Sequence, residues 1–309
     1  MLNKRNEYIV DNTINEQLQK ILFRLNINVE DIISIDKLGG LTNNNYKITL
    51  HNDELVVRIP GENTKEFIDR VNEKNNSQIA ELLGLDSKCI YFDEITGVKI
   101  SKFIKDAETL DEITGKNIEN IKFIADKLNK LHSSNKSFHT TFDPFQTIKA
   151  YESKLINYNV GMYEGYYDIK NLFLTFKDIL ENMNISYVPC HIDPLPQNFV
   201  KGENEELYLI DWEYSGNYDP LWDLAAVMLE CNFSHKEEKL LLYNYLGRNP
   251  NSKELLRIHI HKIIQDIFWS LWASNKLAKG EYKMKDFSVK KFESARKNID
   301  NYIRVNINI

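Results

Sequence analysis

Disulfide and zinc chemistry are the first things this sequence lacks. Its 309 residues hold only three cysteines, Cys89, Cys190 and Cys231, which are odd in number, far apart and free of any C-x-x-C spacing. Neither a disulfide framework nor a thiolate metal site is indicated, and reduced, mostly interior thiols are expected. Also missing is any apolar run near the roughly 18 residues of a membrane span, and the opening MLNKRNEYIVDNTINEQLQK has no signal-peptide core. A cytoplasmic protein is the expectation. The net charge is -6, from 39 basic and 45 acidic residues, and it contains no long basic run. Nucleic acid and anionic membrane surfaces are therefore not expected partners. There is no internal repeat, and the pattern leaves the oligomeric state open.

What is present supports a sizeable core: 42% of residues are hydrophobic, enough for one large domain or two intimate lobes. Leu18, Ile21, Leu22 and Leu25 recur at helical spacing, which predicts an opening helix over about 15–29. Three β-branched or apolar runs follow at 32–38, 46–50 and 55–59, separated by Gly- and Asn-rich turns, and read as an antiparallel meander. A polar helix over 64–83 stopped by Gly84 comes next, with strands near 88–92 and 98–104.

Beyond residue 104 the texture becomes helical, at about 118–132, 145–157, 169–183, 220–231, 236–246, 252–278 and 288–305, broken only by 188–211. The expected architecture is α+β: a small antiparallel β-sheet lobe, residues 1–104, and a larger, mainly helical lobe, residues 105–309. A cleft is expected near residue 104.

The break at 188–211 carries the most informative spacing. It contains His191-Ile-Asp-Pro-Leu-Pro-Gln-Asn198, then the strand-like Leu207-Tyr-Leu-Ile210, then Asp211. Phosphoryl transfer needs a carboxylate to orient the acceptor hydroxyl and oxygen ligands for magnesium, and Asp193, Asn198 and Asp211 supply those types. The order H-x-D-x-x-x-x-N followed by an apolar strand ending in Asp is that of the kinase catalytic and metal-binding loops, with Trp212-Glu213 in place of Phe-Gly. Taken singly, Asp193 and Asn198 could equally be turn residues beside Pro194 and Pro196, and Asp211 a strand-end cap. Together they argue for a kinase.

The first half holds complementary pieces. Gly39-Gly-Leu-Thr-Asn-Asn-Asn45 lies between two predicted strands, where small and hydroxylated residues let backbone amides approach phosphate; a plain hairpin turn would look similar. Arg58, on the third strand, is placed to contact nucleotide phosphates, with Glu73 on the next helix as its partner. The segment 98–104, including Ser101 and Phe103, stands where an inter-lobe hinge would flank adenine.

These residues resemble the choline and ethanolamine kinase family, and within it the bacterial choline kinases that supply phosphocholine for surface decoration. The resemblance runs through Leu38-Gly-Gly-Leu-Thr-Asn-Asn-Asn-Tyr46, Val57-Arg-Ile59, Cys190-His-Ile-Asp-Pro-Leu-Pro-Gln-Asn198, Leu209-Ile-Asp-Trp-Glu-Tyr-Ser215, Asp219-Pro-Leu-Trp-Asp-Leu-Ala225 and Gln265-Asp-Ile-Phe-Trp-Ser-Leu-Trp272. It implies a protein-kinase-like two-lobed fold, ATP and Mg2+ as cofactors, and choline as the small-molecule substrate. By the same resemblance Asp193 is the catalytic base, and Asn198 and Asp211 hold magnesium. It also implies that Arg58 with Glu73 positions the nucleotide phosphates, and with them Gly39, Gly40, Thr42, Asn43, Ser101 and Phe103 are the residues expected to serve the nucleotide.

All four tryptophans, Trp212, Trp222, Trp269 and Trp272, follow residue 211. A trimethylammonium head has no N–H to donate, so aromatic faces and carboxylates must recognise it. Those tryptophans, Phe287, Phe292, Glu213 and Glu230 are the expected acceptor-binding residues; Asp223 is the weakest acidic candidate because it could instead anchor the helix after Pro220. Trp212 and Trp222 could equally be core.

Within the same chemistry the alternatives are an ethanolamine kinase or an aminoglycoside-type phosphotransferase, because the catalytic loop does not specify the acceptor. Outside it stands a catalytically silent kinase-like binder, which would be expected to lack one of Asp193, Asn198 or Asp211. A protein kinase is disfavoured because Asp211 runs directly into Trp212-Glu213-Tyr214 and a helix, leaving no room for a long activation loop.

Overall fold

The structure, a computed structural model, describes residues 19–40, 43–61 and 64–307. The chain divides into two compact units, one made of residues 1–108 and 201–213, the other of 109–200 and 214–309. No single cut in the sequence separates them: the chain passes between them within β6 (Glu108–Thr109) and β8 (Phe199–Lys201), and again after Glu213.

The first unit is built on a five-stranded antiparallel sheet of β1 (Ile32–Lys37), β2 (Asn43–Leu50), β3 (Glu54–Pro60), β4 (Cys89–Phe92) and β5 (Lys99–Lys102), in the order β1-β2-β3-β5-β4. Period-2 alternation sets its faces. Tyr46 and Ile48 from β2, Leu55, Val57 and Ile59 from β3, and Val98 and Ile100 join Ile21 and Leu22 in one apolar cluster. Arg58, one residue out of phase with Val57 and Ile59, therefore projects to the opposite face, where α2 (Arg70–Leu82) supplies its partner Glu73.

That helix begins later than the sequence suggests. Residues 64–66 form only a 3-10 turn, and Asp69 then caps α2 by accepting the Val71 and Asn72 amides at 3.0 and 3.1 Å. Gly84 ends it as expected, with φ 64° and its amide on the Glu81 carbonyl. Of the predicted opening helix, residues 19–24 are helical (α1) and 25–26 already turn, while 15–18 lie outside the described residues.

The second unit is mainly helical: α3 (Ile118–His132), α4 (Pro144–Asn157), α5 (Tyr166–Glu181), α6 (Leu221–Glu230), α7 (His235–Leu246), α8 (Ser252–Ala278) and α9 (Lys285–Ile307). Apolar periodicity located all seven, with boundaries moved by up to three residues. α8 runs through the middle of this unit, and almost every residue from Ile258 to Lys276 is buried. The long non-helical break contributes β7 (Val188–Cys190), paired antiparallel with β10 (Gly216–Tyr218), and β9 (Leu207–Leu209). Among the described residues no helix is long and apolar enough to cross a membrane.

Candidate active site

In the first unit the sheet face carrying Arg58 collects a cluster of buried charges. Arg58 and Glu73 are 7% and 2% exposed and form a close ion pair. The same guanidinium reaches Asp211 Oδ1 at 3.3 Å and donates to the Gly97 carbonyl at 3.1 Å. Arg70, at the start of α2, donates to Glu73 Oε2 at 2.6 Å, to Glu213 Oε2 at 3.1 Å and to Thr64 Oγ1 at 3.1 Å. Asn43 Nδ2 donates to the same Glu213 oxygen at 3.3 Å.

Buried charges persist only when paired. Two arginines here face three carboxylates, Glu73, Asp211 and Glu213, whose oxygens lie within 4.8 Å of one another. One negative charge is left over. Although burial works against it, Glu73 is held below the usual carboxylate range by Arg58 and Arg70. Glu213 is pushed up to about 7 by burial and by the charge of Asp211. Asp211 is also raised by burial, against the pull of Arg58. Carboxylates raised in this way beside hard oxygen neighbours are a donor set that fits a divalent cation such as magnesium.

Gly97 is required at this cluster: its φ is 77°, and a Cβ there would lie 2.5 Å from Arg70 Nε and 2.9 Å from Pro60.

In the second unit the loop after β7 is locked from beneath by one buried carboxylate. Asp223, fully buried on α6, accepts the His191 amide at 2.7 Å and the Ile192 amide at 2.9 Å. His132 Nε2 lies 3.0 Å from the same carboxylate, and the other ring nitrogen of His132 lies 2.8 Å from the Tyr245 hydroxyl. Trp222 donates its indole N–H to the Ile192 carbonyl at 2.9 Å. Ile192 needs this support, because its φ of 73° is a conformation that a β-branched residue adopts only under constraint. The strained step sits directly before Asp193, whose side chain is half-buried. Asn198 turns its amide nitrogen to the Asp193 carbonyl at 2.9 Å, leaving its oxygen as the atom able to meet a cation.

The same unit gathers an aromatic set on α8 and α9. Trp269 and Trp272 meet edge to face at 5.6 Å between centroids, and Phe287 lies 6.4 Å from Trp272. Tyr214 completes the set, edge-on to Trp269 at 5.3 Å and accepting the Trp272 indole N–H at 2.9 Å.

The chain matches the choline/ethanolamine kinase family over residues 35–301. It belongs to that family. Protein LicA of Haemophilus influenzae is 29% identical over 272 residues, 86% of this chain and 79% of that protein. The crystal structure of choline kinase LicA from Streptococcus pneumoniae superposes with a TM-score of 0.83 at 35% identity, covering 94% of this chain and 100% of that one. A LicA solved in complex with AMP gives 0.80 at 34% identity, covering 93% and 98%. The fold is thus the protein-kinase-like fold of the choline/ethanolamine kinases.

Against this family frame, the residues singled out in the sequence separate into those that meet and those that do not. Arg58, Glu73, Asn43, Asp211 and Glu213 meet in the first unit; Glu213, expected at the acceptor, stands instead beside Asp211. Gly40 has a φ of 156° and packs so tightly that a Cβ would collide with the Asn43 carbonyl oxygen, while the Gly39 carbonyl accepts from Asn45 Nδ2 at 2.9 Å. Thr42 lies outside the described residues. Ser101 is buried in β5, opposite Val56 and Cys89. The Phe103 amide is already committed to the Glu54 carbonyl at 2.9 Å, and its ring lies under the Lys47 ammonium at 4.0 Å. That amide is not free for adenine.

Two tryptophans differ from the acceptor-binding expectation. Trp222 is wholly buried between Phe142, Tyr218 and Phe268 and supports the loop by donating its N–H to the Ile192 carbonyl. Trp212 is 1% exposed, in the first unit, with its N–H on the Leu209 carbonyl. Phe292 stacks on Tyr163 at 4.3 Å instead of joining Trp269 and Trp272. Glu230 is ion-paired with Lys291.

Sequence reasoning missed Arg70, Gly97 and Tyr214, and it undervalued Asp223. Arg70 and Tyr214 lie within three residues of recognised positions, Glu73 and Asp211, which was the available signal. Nothing local distinguishes Gly97 from an ordinary turn glycine.

Proposed function

We propose that this chain transfers the γ-phosphoryl group of ATP to the hydroxyl of choline, giving phosphocholine and ADP. The observation that carries this reading is the family match across residues 35–301, which spans every residue of the proposed chemistry. The AMP bound by one LicA supports the nucleotide half.

Asp193 accepts a hydrogen bond from the choline hydroxyl and orients its oxygen for in-line attack on the γ-phosphorus. The locked Ile192–Asp193 step supports this role, because positioning is most of what phosphoryl transfer asks of a protein. Arg58, braced by Glu73, contacts the nucleotide phosphates. Asp211, with Glu213 beside it, and Asn198 supply oxygen ligands for magnesium. A magnesium ion held by these oxygens would supply positive charge against the negative charge that develops during transfer. Trp269, Trp272, Phe287 and Tyr214 recognise the trimethylammonium group, each aromatic contact contributing about 0.5–2 kcal/mol. Three free thiols accord with a reducing, cytoplasmic setting.

The deciding experiment measures ATP consumption by the purified protein with magnesium and choline, ethanolamine or kanamycin. Choline is expected to be turned over far faster than the others. Preference for another acceptor would overturn the substrate, and turnover of none would overturn the enzyme. Trp269→Ala should raise the choline KM by about 2- to 30-fold, the equivalent of one lost cation–π contact, and leave the ATP KM unchanged; equal changes in both would remove Trp269 from the acceptor site.

Arg58→Met is expected to act on the other substrate. It removes a charged donor from the phosphates and leaves Glu73 and Asp211 facing each other, so the ATP KM should rise about 10- to 100-fold with the choline KM little altered. An unchanged ATP KM in the folded variant would take Arg58 out of the nucleotide site.

A further inference from the structure

One cation is already seated among the groups expected to bind the acceptor. Lys291, on α9, has a side chain only 13% exposed and pairs closely with Glu230 Oε1. Its ammonium also lies 3.6 Å from Asp266 Oδ1 and 5.7 Å from the centroid of Phe287. Asp266 is fully buried, and its other oxygen accepts from Ser294 Oγ at 2.6 Å and Asn298 Nδ2 at 2.9 Å. The lysine is therefore fixed from two sides by carboxylates and covered by an aromatic ring. Burial would favour its neutral form, but Glu230 and Asp266 hold it charged.

We propose that Lys291 determines acceptor specificity by occupying the Glu230 carboxylate, so that a head group needing hydrogen-bond acceptors is disfavoured against one that binds through aromatic faces alone. This rests on the acceptor-site reading given above. A primary ammonium carries three N–H donors that must be satisfied when they leave water. With Glu230 Oε1 engaged by Lys291, the most exposed acid of this cluster cannot fully serve them. A quaternary ammonium has no N–H and requires only aromatic faces and a diffuse negative potential, which Trp269, Trp272, Tyr214 and the Glu230–Lys291–Asp266 group provide with or without a free oxygen. A fixed internal ammonium thus discriminates by withholding an acceptor from the smaller substrate.

The test compares kcat/KM for ethanolamine and choline in wild type, Lys291→Met, Lys291→Arg and the double variant Lys291→Met/Glu230→Gln. Freeing Glu230 in Lys291→Met should raise the ethanolamine-to-choline ratio about tenfold or more, the equivalent of one charged hydrogen bond. Lys291→Arg keeps the pair and should keep the wild-type ratio, and the double variant should return to it. The ATP KM should stay constant throughout, a pattern that a general loss of packing would not produce. An unchanged or lower ratio in folded Lys291→Met would overturn the proposal; if that variant does not fold, Lys291→Met/Asp266→Asn, which also removes the second buried charge the lysine balances, decides in its place. Failure of wild type to use either amine would sink the acceptor reading itself, whereas choline turnover with an unmoved ratio would sink only the role of Lys291.

Discussion

Asp193→Ala should lower kcat by about 10²- to 10⁴-fold, the usual contribution of a positioned acid or base, while ATP still binds with near wild-type affinity. The separation of the two effects follows from where the groups lie. Arg58, Glu73, Asp211 and Glu213 form their hydrogen-bonded cluster within the first unit, whereas Asp193 belongs to the second. The loop keeps its backbone anchors in this variant: the His191 and Ile192 amides remain on Asp223, and the Asp193 carbonyl still accepts from Asn198. Calorimetric titration with a non-hydrolysable ATP analogue, beside steady-state turnover, measures both halves. Activity within a few-fold of wild type would remove Asp193 from the base role.

The second large effect is expected at a residue that touches neither substrate. Asp223→Ala leaves the His191 and Ile192 amides buried without an acceptor, at a cost of about 1–3 kcal/mol each, so unfolding free energy should fall by about 2–6 kcal/mol. It also removes the partner of His132 Nε2 and loosens the positive-φ conformation of Ile192, so kcat should drop even where the protein remains folded. Asp223→Asn keeps one acceptor oxygen and should lose about half as much stability. Urea unfolding and turnover assayed on both variants check this. A stability loss below about 1 kcal/mol with full activity would mean that Asp223 is not the anchor of the loop. It is a positioning residue: it acts by fixing the backbone from which Asp193 projects.

The contrast between Asp193 and Asp223 explains much of what could be read in advance. Asp193, Asn198 and Asp211 stand at a spacing that phosphoryl transfer imposes along the chain, so their order was visible in the sequence. Asp223 works by hydrogen bonds to backbone amides more than thirty residues earlier, and nothing in its own surroundings reports this. The tryptophans divide in the same way. Trp269 and Trp272 are three apart on one helix, so a shared location follows from helical geometry. Trp212 and Trp222 are close in sequence to the chemistry but point into packing, and sequence proximity does not give direction.

Periodicity in the sequence by itself determined the class of fold, because a two-residue alternation and a 3.6-residue stripe are each compatible with only one way of burying apolar surface. Motif order likewise determined the reaction class. Only the tertiary structure decided which charges neutralise which. It gave Glu213 to Arg70 and Glu230 to Lys291, and it committed the Phe103 amide to the Glu54 carbonyl. The physical reason is range. Secondary structure answers to neighbours within a few residues, whereas a buried charge must be matched wherever in the chain its partner lies, and that matching exists only once the chain has folded.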